Sequence, residues 1–461
     1  MVEYVQQIKN FFRNKTLNAA GVERSLYELL EDGDVVTAIS LMQNRDDEVE
    51  NAIKEYNPQT HDVMNRPNKS RKNANEYETE KLPRSRQRYI NEVELFFLLG
   101  SGIKWRKDKG DDETFAMFEE FLKKQRFSSR IREIKRLAGA ETESASLYHI
   151  YEENNAPIVK NLVLARSTGY QLRPMFDQYN NMVAFAYGYK LKEYGKTVQH
   201  WDIQTPEFLF YCKKGALGWE VETFENPTGK INVVYYRQRK SWDGVEQRLH
   251  REEMLDSKVA DTNNYFADPI AAATADVVQM LADNNAPAKL IQMAGGASKF
   301  EYINPPQNSE SRKAEKEELK ESILFDTFTP DLSFEALKGM GSLSGVAIKN
   351  AMILGYIKRD NLKETYGELI DREKSIILGI LKYLHPDKAK LIDELEISFE
   401  FEEPFADDKT ANWTSIAQLY TSGVVSLDTA VNMLSLAEAP EEEIQKIKES
   451  KNVVQEQNKE E

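Results

Sequence analysis

The sequence is poor in the residues that carry most protein chemistry. One cysteine, Cys212, stands among 461 residues, so no internal disulfide can form. Five histidines (His61, His149, His200, His250, His385) are too scattered for a local His/Cys metal motif. Long apolar runs are missing too: the densest, Val93 to Leu99, is broken by Glu94 and falls far short of the ~20 residues that span a bilayer. The start, Met1-Val-Glu-Tyr, does not read as a signal peptide. No GxxxxGK[ST] occurs, which excludes a Walker-type phosphate cradle and its ATP motor. Gly339-Met-Gly341-Ser-Leu-Ser344 lacks the third glycine of a nucleotide loop, and Gly341-Ser-Leu-Ser-Gly345 puts Leu343 where a nucleophile elbow needs serine. Asp331 and Glu335 have no third acid or histidine nearby, so they read as a polar loop ending in a helix N-cap at Ser344. No catalytic residue, metal or cofactor is expected. The chain reads as a soluble, intracellular-type protein that is not an enzyme.

Charge, by contrast, is plentiful. Charged residues make up 30% against the usual ~25%, and 61 basic against 76 acidic residues give a net −15. A chain that gripped nucleic acid by neutralising phosphates would carry the opposite sign. Two basic clusters run against the trend. Residues 66–88 hold Arg66, Lys69, Arg71, Lys72, Lys81, Arg84, Arg86 and Arg88; residues 123–136 hold Lys123, Lys124, Arg126, Arg130, Arg132, Lys135 and Arg136. Phosphate contact and pairing with acidic neighbours are both open, and pairing or solvation is the weightier reading. Trp105, Trp201, Trp219, Trp242 and Trp413 are dispersed and read as core or interface residues.

Periodicity divides the chain. Up to about Gly139 it is helical, with Phe115, Phe118, Phe121 and Leu122 on one face. Residues 57–88, punctuated by three prolines, read as a long surface loop or arm. From Leu147 to Gln238 the period is two, as in Val183, Phe185, Tyr187, Tyr189 and Leu191, which predicts an antiparallel sheet with one buried face. A charged helix starts near Ser241, a candidate N-cap, and a second runs from Ser309 to about Asp326. Between them lie an Ala-rich segment and two candidate strands, Lys289–Met293 and Lys299–Ile303, joined as a hairpin through Gly295-Gly296. Gly345 to Leu384 keeps helical period up to His385-Pro386, with kinks expected at Gly355, Gly367 and Gly379. Short helices follow over 412–448: Trp413, Ile416, Leu419 and Tyr420 share a face, Gly423 stops it, Ser426 caps the next, and Pro440 opens a glutamate-rich third. Residues 449–461 read as a disordered tail. Both charged helices lack the apolar face of a core helix, so they need neighbours that pair along their flanks, as identical copies around a ring would supply.

This order of segments resembles the portal proteins of tailed bacteriophages, the siphophage-type family, from about residue 80 to 448. The pieces that look alike include Lys81-Leu-Pro-Arg-Ser-Arg-Gln-Arg-Tyr-Ile-Asn, Asn226-Pro-Thr-Gly-Lys-Ile-Asn-Val-Val-Tyr-Tyr and Asp261-Thr-Asn-Asn-Tyr-Phe-Ala-Asp-Pro-Ile. Phe328-Thr-Pro-Asp-Leu-Ser-Phe-Glu, Leu343-Ser-Gly-Val-Ala-Ile-Lys and Gly423-Val-Val-Ser-Leu-Asp-Thr complete the set. The resemblance implies an α+β subunit of a homo-oligomeric ring, usually of twelve, at the capsid vertex of the virion, assembled in the host bacterial cytoplasm. Its divisions would be a peripheral helical region (1–80), a helical and β wing (81–240), a stem helix (241–267), a small α/β clip (268–308), a second stem helix (309–327), a channel loop (328–344), a long wing helix with return strand (345–411) and a helical crown (412–448). Double-stranded DNA would pass non-specifically through the centre, packaged by the terminase large subunit and later ejected. A head–tail adaptor and the major capsid and scaffolding proteins would be the other partners, with no membrane. Candidates for the channel are Lys338, Thr329, Asp331 and Ser342 in the loop, and Arg248, Arg251, Lys316 and Lys320 along the stem; the stem cations serve equally well as inter-subunit salt bridges. Clip docking falls to Lys289, Gln292, Lys299 and Glu301. Two other readings compete: a capsid-associated structural or adaptor protein without a channel, and a nucleic-acid-processing enzyme with a dispersed acidic metal site.

Overall fold

The computed structural model describes residues 15–17, 23–68, 78–154, 156–193, 195–267, 270–273, 277–281, 290–293, 300–303, 309–338, 345–405, 409–434 and 443–448. It mixes helix and strand and falls into two compact units, Met1–Asp331 with Leu354–Glu402, and Leu332–Ile353 with Glu403–Glu461.

The first unit opens on a small antiparallel pair, β1 (Lys15–Leu17) and β2 (Glu23–Ser25). Ser25 caps α1 (Leu26–Glu31): its hydroxyl accepts from the Glu28 amide while the Glu28 carboxylate accepts from the Ser25 amide. Next come α2 (Val35–Ser40) and α3 (Asp46–Tyr56), the latter with three acids at the positive end of its dipole. The expected arm over 57–88 is partly structured. Two 3-10 turns, Pro58–Thr60 and Asp62–Asn65, precede an extended strap over residues 78–85 that leads into α4 (Arg86–Leu99). β3 (Ile103–Lys109), α5 (Asp112–Lys124) and α6 (Phe127–Glu141) follow. On α5, Phe118, Phe121 and Leu122 are buried as the spacing predicts, and Phe115 packs beside them.

Where one sheet was expected, two form. In chain order the strands are β4 (Glu143–Glu153), β5 (Ala156–Leu164), β6 (Gln171–Phe176), β7 (Met182–Glu193), β8 (Lys196–Gln204), β9 (Phe208–Lys214), β10 (Trp219–Glu225) and β11 (Val233–Arg237). They pair as β10-β9-β8-β7-β6 and as β11-β4-β5, antiparallel throughout. The reason lies in β7. Phe185 and Tyr187 pack with Leu147 and Val233 of the three-stranded sheet, whereas Ala184 and Ala186 face Leu29, Leu30 and Val35 of α1 and α2. The small residues that read as an outer face are therefore a second buried face, kept small where helices approach. Gly188 extends this logic, since a Cβ there would lie 2.8 Å from the Trp201 ring.

Two charged helices, α7 (Glu246–Ala267) and α8 (Ser309–Asp326), occupy the segments that the resemblance assigns to a stem, and are called stem helices for that position alone. Residues 241–244 form a turn rather than the first turn of α7, and the Ser241 hydroxyl bonds Asn91 Oδ1 at 3.0 Å instead of capping the helix. Between the stem helices, β12 (Ile270–Ala273) pairs with β15 (Phe300–Ile303), and β13 (Val277–Leu281) with β14 (Leu290–Met293). The expected hairpin of the last two strands is thus replaced by two nested pairs. The run Val277-Val-Gln-Met-Leu281 supplied the apolar, β-branched partner that the Ala-rich reading passed over.

After α9 (Phe334–Lys338), the long helix is interrupted at Met352, between α10 (Gly345–Ala351) and α11 (Ile353–Leu384). Gly355, Gly367 and Gly379 all lie inside unbroken α11; at Gly355 a Cβ would fall 2.4 Å from the Phe97 ring, so close packing is what requires glycine there. α11 ends at His385-Pro386 as expected. α12 (Ala389–Asp393) leads to β16 (Glu396–Phe401), which returns to pair with β3. In the second unit, α13 (Lys409–Thr421) gives way at Gly423, whose φ of +77° suits a residue without Cβ, and the Ser426 hydroxyl caps α14 (Leu427–Leu434) through the Thr429 amide. Residues 443–448 are helical; Pro440 and the tail from Ser450 lie outside the described residues.

Candidate functional site

At their base the two stem helices share an apolar cluster, where Val245, Leu249 and Ile323 pack with Ile90 and Trp242. Beyond it they are braced by charge. Arg248 meets Asp326; Arg251 donates from Nε and Nη2 to Glu315 Oε1 at 2.8 and 2.6 Å; Lys316 Nζ sits 2.8 Å from Asp256; Lys320 Nζ donates to Asp331 Oδ2 at 2.6 Å. The four stem cations and Asp331 are thereby placed in ion pairs inside one chain. The Arg251–Glu315 pair is about half exposed and contributes ~0–1 kcal/mol, so such pairs set register and cancel charge more than they add stability. The flank of α8 turned away exposes Glu310, Glu317, Glu318 and Glu321 at spacings that share one helix face, with Lys313 4.0 Å from Glu317.

Where α8 ends, the chain is pinned. The Thr329 amide donates to the Leu324 carbonyl at 2.8 Å, and the Thr329 hydroxyl is buried 2.9 Å from that of Thr327. Tyr89 Oη donates to the Pro330 carbonyl at 2.8 Å. Lys338, at the end of α9, is exposed. Gln292 lies in β14 opposite Gln279 and Glu301 in β15 opposite Ala272, while Lys289, Lys299 and Ser342 lie outside the described residues.

The strap over 78–85 lies along α7. Amides of alternate residues, Glu80, Leu82 and Arg84, donate to side chains four apart on the helix: Asp261 Oδ1 (2.7 Å), Ser257 Oγ (3.0 Å) and Glu253 Oε1 (2.8 Å). The match is geometric, because two extended residues advance ~6.6 Å and four helical residues ~6.0 Å. Arginines reinforce it: Arg66 reaches Asp261 at 2.7 Å, Arg84 reaches Asp256, and Arg86 grips Glu252 through Nε and Nη2 at 3.2 and 2.9 Å. The described part of the first basic cluster is thus largely neutralised by stem acids. In the second, Lys135 meets Glu94, Arg136 meets Glu92, Arg130 meets Glu133 and Arg132 donates to the Leu99 carbonyl, leaving Lys123, Lys124 and Arg126 exposed.

The family model described as "Phage portal protein, SPP1 Gp6-like" matches residues 39–457. The chain belongs to this portal protein family. No curated protein matches it. Among solved structures, a chain from "Neck of native GTA particle computed with C12 symmetry" is similar at 10% identity and TM-score 0.40, covering 77% of this chain and 91% of that one. Another, from "Neck of empty GTA particle computed with C6 symmetry", is similar at 10% identity and TM-score 0.42, covering 85% and 94%.

Two buried charge sites in this portal-family chain escaped sequence reasoning. Glu94, buried in α4, binds Lys135 of α6 and, at 3.1 Å, Lys358 of α11. Burial opposes its charge, yet the two lysines hold its carboxyl down at about 2. Lys358 also lies 3.5 Å from the Ser241 carbonyl and from Thr329 Oγ1, so one ammonium touches the entry to α7 and the exit of α8. Glu373, fully buried in α11, accepts from Tyr148 of β4 and, at 2.8 Å, from Tyr236 of β11. Here burial outweighs both hydrogen bonds and raises the carboxyl to about 7. Among the described residues no cluster of three or more His, Cys, Asp or Glu is arranged to hold a metal, and no helix is long and apolar enough to cross a membrane.

Proposed function

We propose that this portal-family chain is the subunit of a ring, of about twelve copies by family resemblance, through whose centre double-stranded DNA enters and leaves a capsid. The observation that carries the reading is the stem: its cations Arg248, Arg251, Lys316 and Lys320 are engaged by carboxylates of the same chain, while an outer flank of α8 shows glutamates. A conduit so finished repels phosphate and lets duplex slide, since tight holding needs uncompensated Lys and Arg. Arg248, Arg251 and Lys316 then act as braces between the stem helices, and Lys320 ties α8 to the root of the loop at Asp331. Any sparse phosphate contact falls to the loop, with exposed Lys338 as the candidate and Thr329 and Asp331 as anchors of its root. The nested strand pairs between the stem helices, with Gln292 and Glu301, would face terminase during packaging and the head–tail adaptor afterwards. Capsid and scaffolding proteins would meet the outer wing. The chain itself performs no catalysis on this reading.

Electron micrographs of purified protein test it: ring particles with a central hole are expected. A well-folded monomer at high concentration, with no ring in purified particles, would sink it. Within the ring, K338E should reduce the DNA packaged per prohead, and unchanged packaging would remove Lys338 from the channel.

A further inference from the structure

We propose that His61 is a cationic keystone that fastens the strap and α3 to stem helix α7, so that this side of the stem loosens when the imidazolium loses its proton. The inference is independent of the portal reading. Both imidazole nitrogens face acceptors: Nδ1 is 2.6 Å from Glu253 Oε1 and Nε2 is 2.7 Å from the Glu55 carbonyl oxygen. A carbonyl can only accept, and Glu253 Oε1 already accepts from the Arg84 amide. Satisfying both contacts therefore takes two N–H groups, the imidazolium form. Both side chains of the His61–Glu253 pair are 5% exposed, so salt screens it little. An open groove of about 460 Å³, lined among others by His61, Gln87 and His250, lets protons exchange with solvent.

The surrounding charges are otherwise committed. On α3, the Glu55 carboxylate takes Lys240 and the Trp242 indole, and Lys54 lines the groove. On the adjoining turn, Asp62 lies 4.0 Å from His250 of α7. Glu246 of α7 pairs with Lys240, and Glu252 and Asp256 take Arg84 and Arg86. His61 is thus the group that supplies Glu253 with its counter-charge. Burial works against that charge, but the Glu253 bond and carboxylate and then the Glu55 carbonyl prevail, so the ring keeps its proton above the usual histidine range. With the folded pKa above the unfolded one, the contribution is complete below ~6.5 and is lost as pH climbs through the raised value. Deprotonation leaves a ring nitrogen facing an acceptor and the Glu253 rung of the strap uncompensated.

Hydrogen exchange read by mass spectrometry on the intact protein tests this at pH about 6 and about 8.5, with rates divided by intrinsic exchange rates. Protection of a peptide covering 78–86 should fall at the higher pH, while β4 and β5 peptides keep theirs. H61Q should give low protection at both pH values, and H250Q should preserve the wild-type fall. Equal protection of the wild type at both pH values would overturn the proposal, as would an undiminished fall in H61Q or its disappearance in H250Q. Should H61Q fail to fold, the wild type and H250Q still decide the matter by the same criteria.

Discussion

Glu94 interrupts the most apolar run in the sequence, and the structure shows why the interruption is kept. Its carboxylate stands between two buried ammonium groups that arrive from α6 and α11. Removing it would strand both. E94Q should therefore destabilise the chain by ~3–5 kcal/mol, the cost of breaking a buried pair from one side, as read by denaturant unfolding. A loss under 1 kcal/mol would show that water reaches the lysines. The acid was visible in the sequence as an anomaly within Val93–Leu99. Its partners were not, because Lys135 sits in a cluster that reads equally well as a solvated basic face, and nothing in the sequence marks Lys358 as buried.

At the scale of elements, α11 is tied to the three-stranded sheet by one carboxyl. Glu373 holds its proton up to about 7 in the folded chain, against ~4.3 when unfolded, so the folded state binds more protons across that window. Stability supplied by this group accordingly falls as pH rises from the ordinary carboxylate range through about 7. E373Q imitates the protonated form. It should match the wild type near pH 4 and exceed it near pH 8 by on the order of 3 kcal/mol, measured as unfolding free energy at the two pH values. An E373Q chain less stable at pH 8 would mean that the fold favours the Glu373 carboxylate over the acid. Elements themselves were legible where period and punctuation agree: α5, the second stem helix and the stop at His385-Pro386 lie where the sequence puts them, whereas the first stem helix begins at Glu246, past its expected cap at Ser241. The sheet was misread because Ala184 and Ala186 look like a solvent face until two helices are known to cover them. The strand pairs between the stem helices were misread because turn residues alone cannot choose between competing partners.

Across the whole molecule, the net charge is −15, and much of the described part of the basic clusters is paired within the chain: Arg66, Arg84 and Arg86 with acids of α7, Lys135 with buried Glu94, and Arg130 and Arg136 with surface glutamates. Fluorescence anisotropy with a labelled duplex at about 150 mM salt should show no saturable binding below the micromolar range, and only weak binding when salt is lowered. Tight binding at that salt would mean that Lys123, Lys124 and Arg126, or residues beyond those described, dominate the surface. Family membership was legible from the order of segments, although no single motif is sharp.

The strap carries one last consequence. Its three rungs work like a vernier: each step along the extended chain outruns its helical counterpart by ~0.6 Å, and each acceptor turns ~40° further round the helix axis. Two intervals can be absorbed by side-chain flexion, but the error accumulates with every added step. Among the described residues the last rung is Glu80 on Asp261, and the adjoining Thr79 turns to Asn68 and the Pro67 carbonyl. A longer strap of the same kind would have to coil about the helix or let go of it.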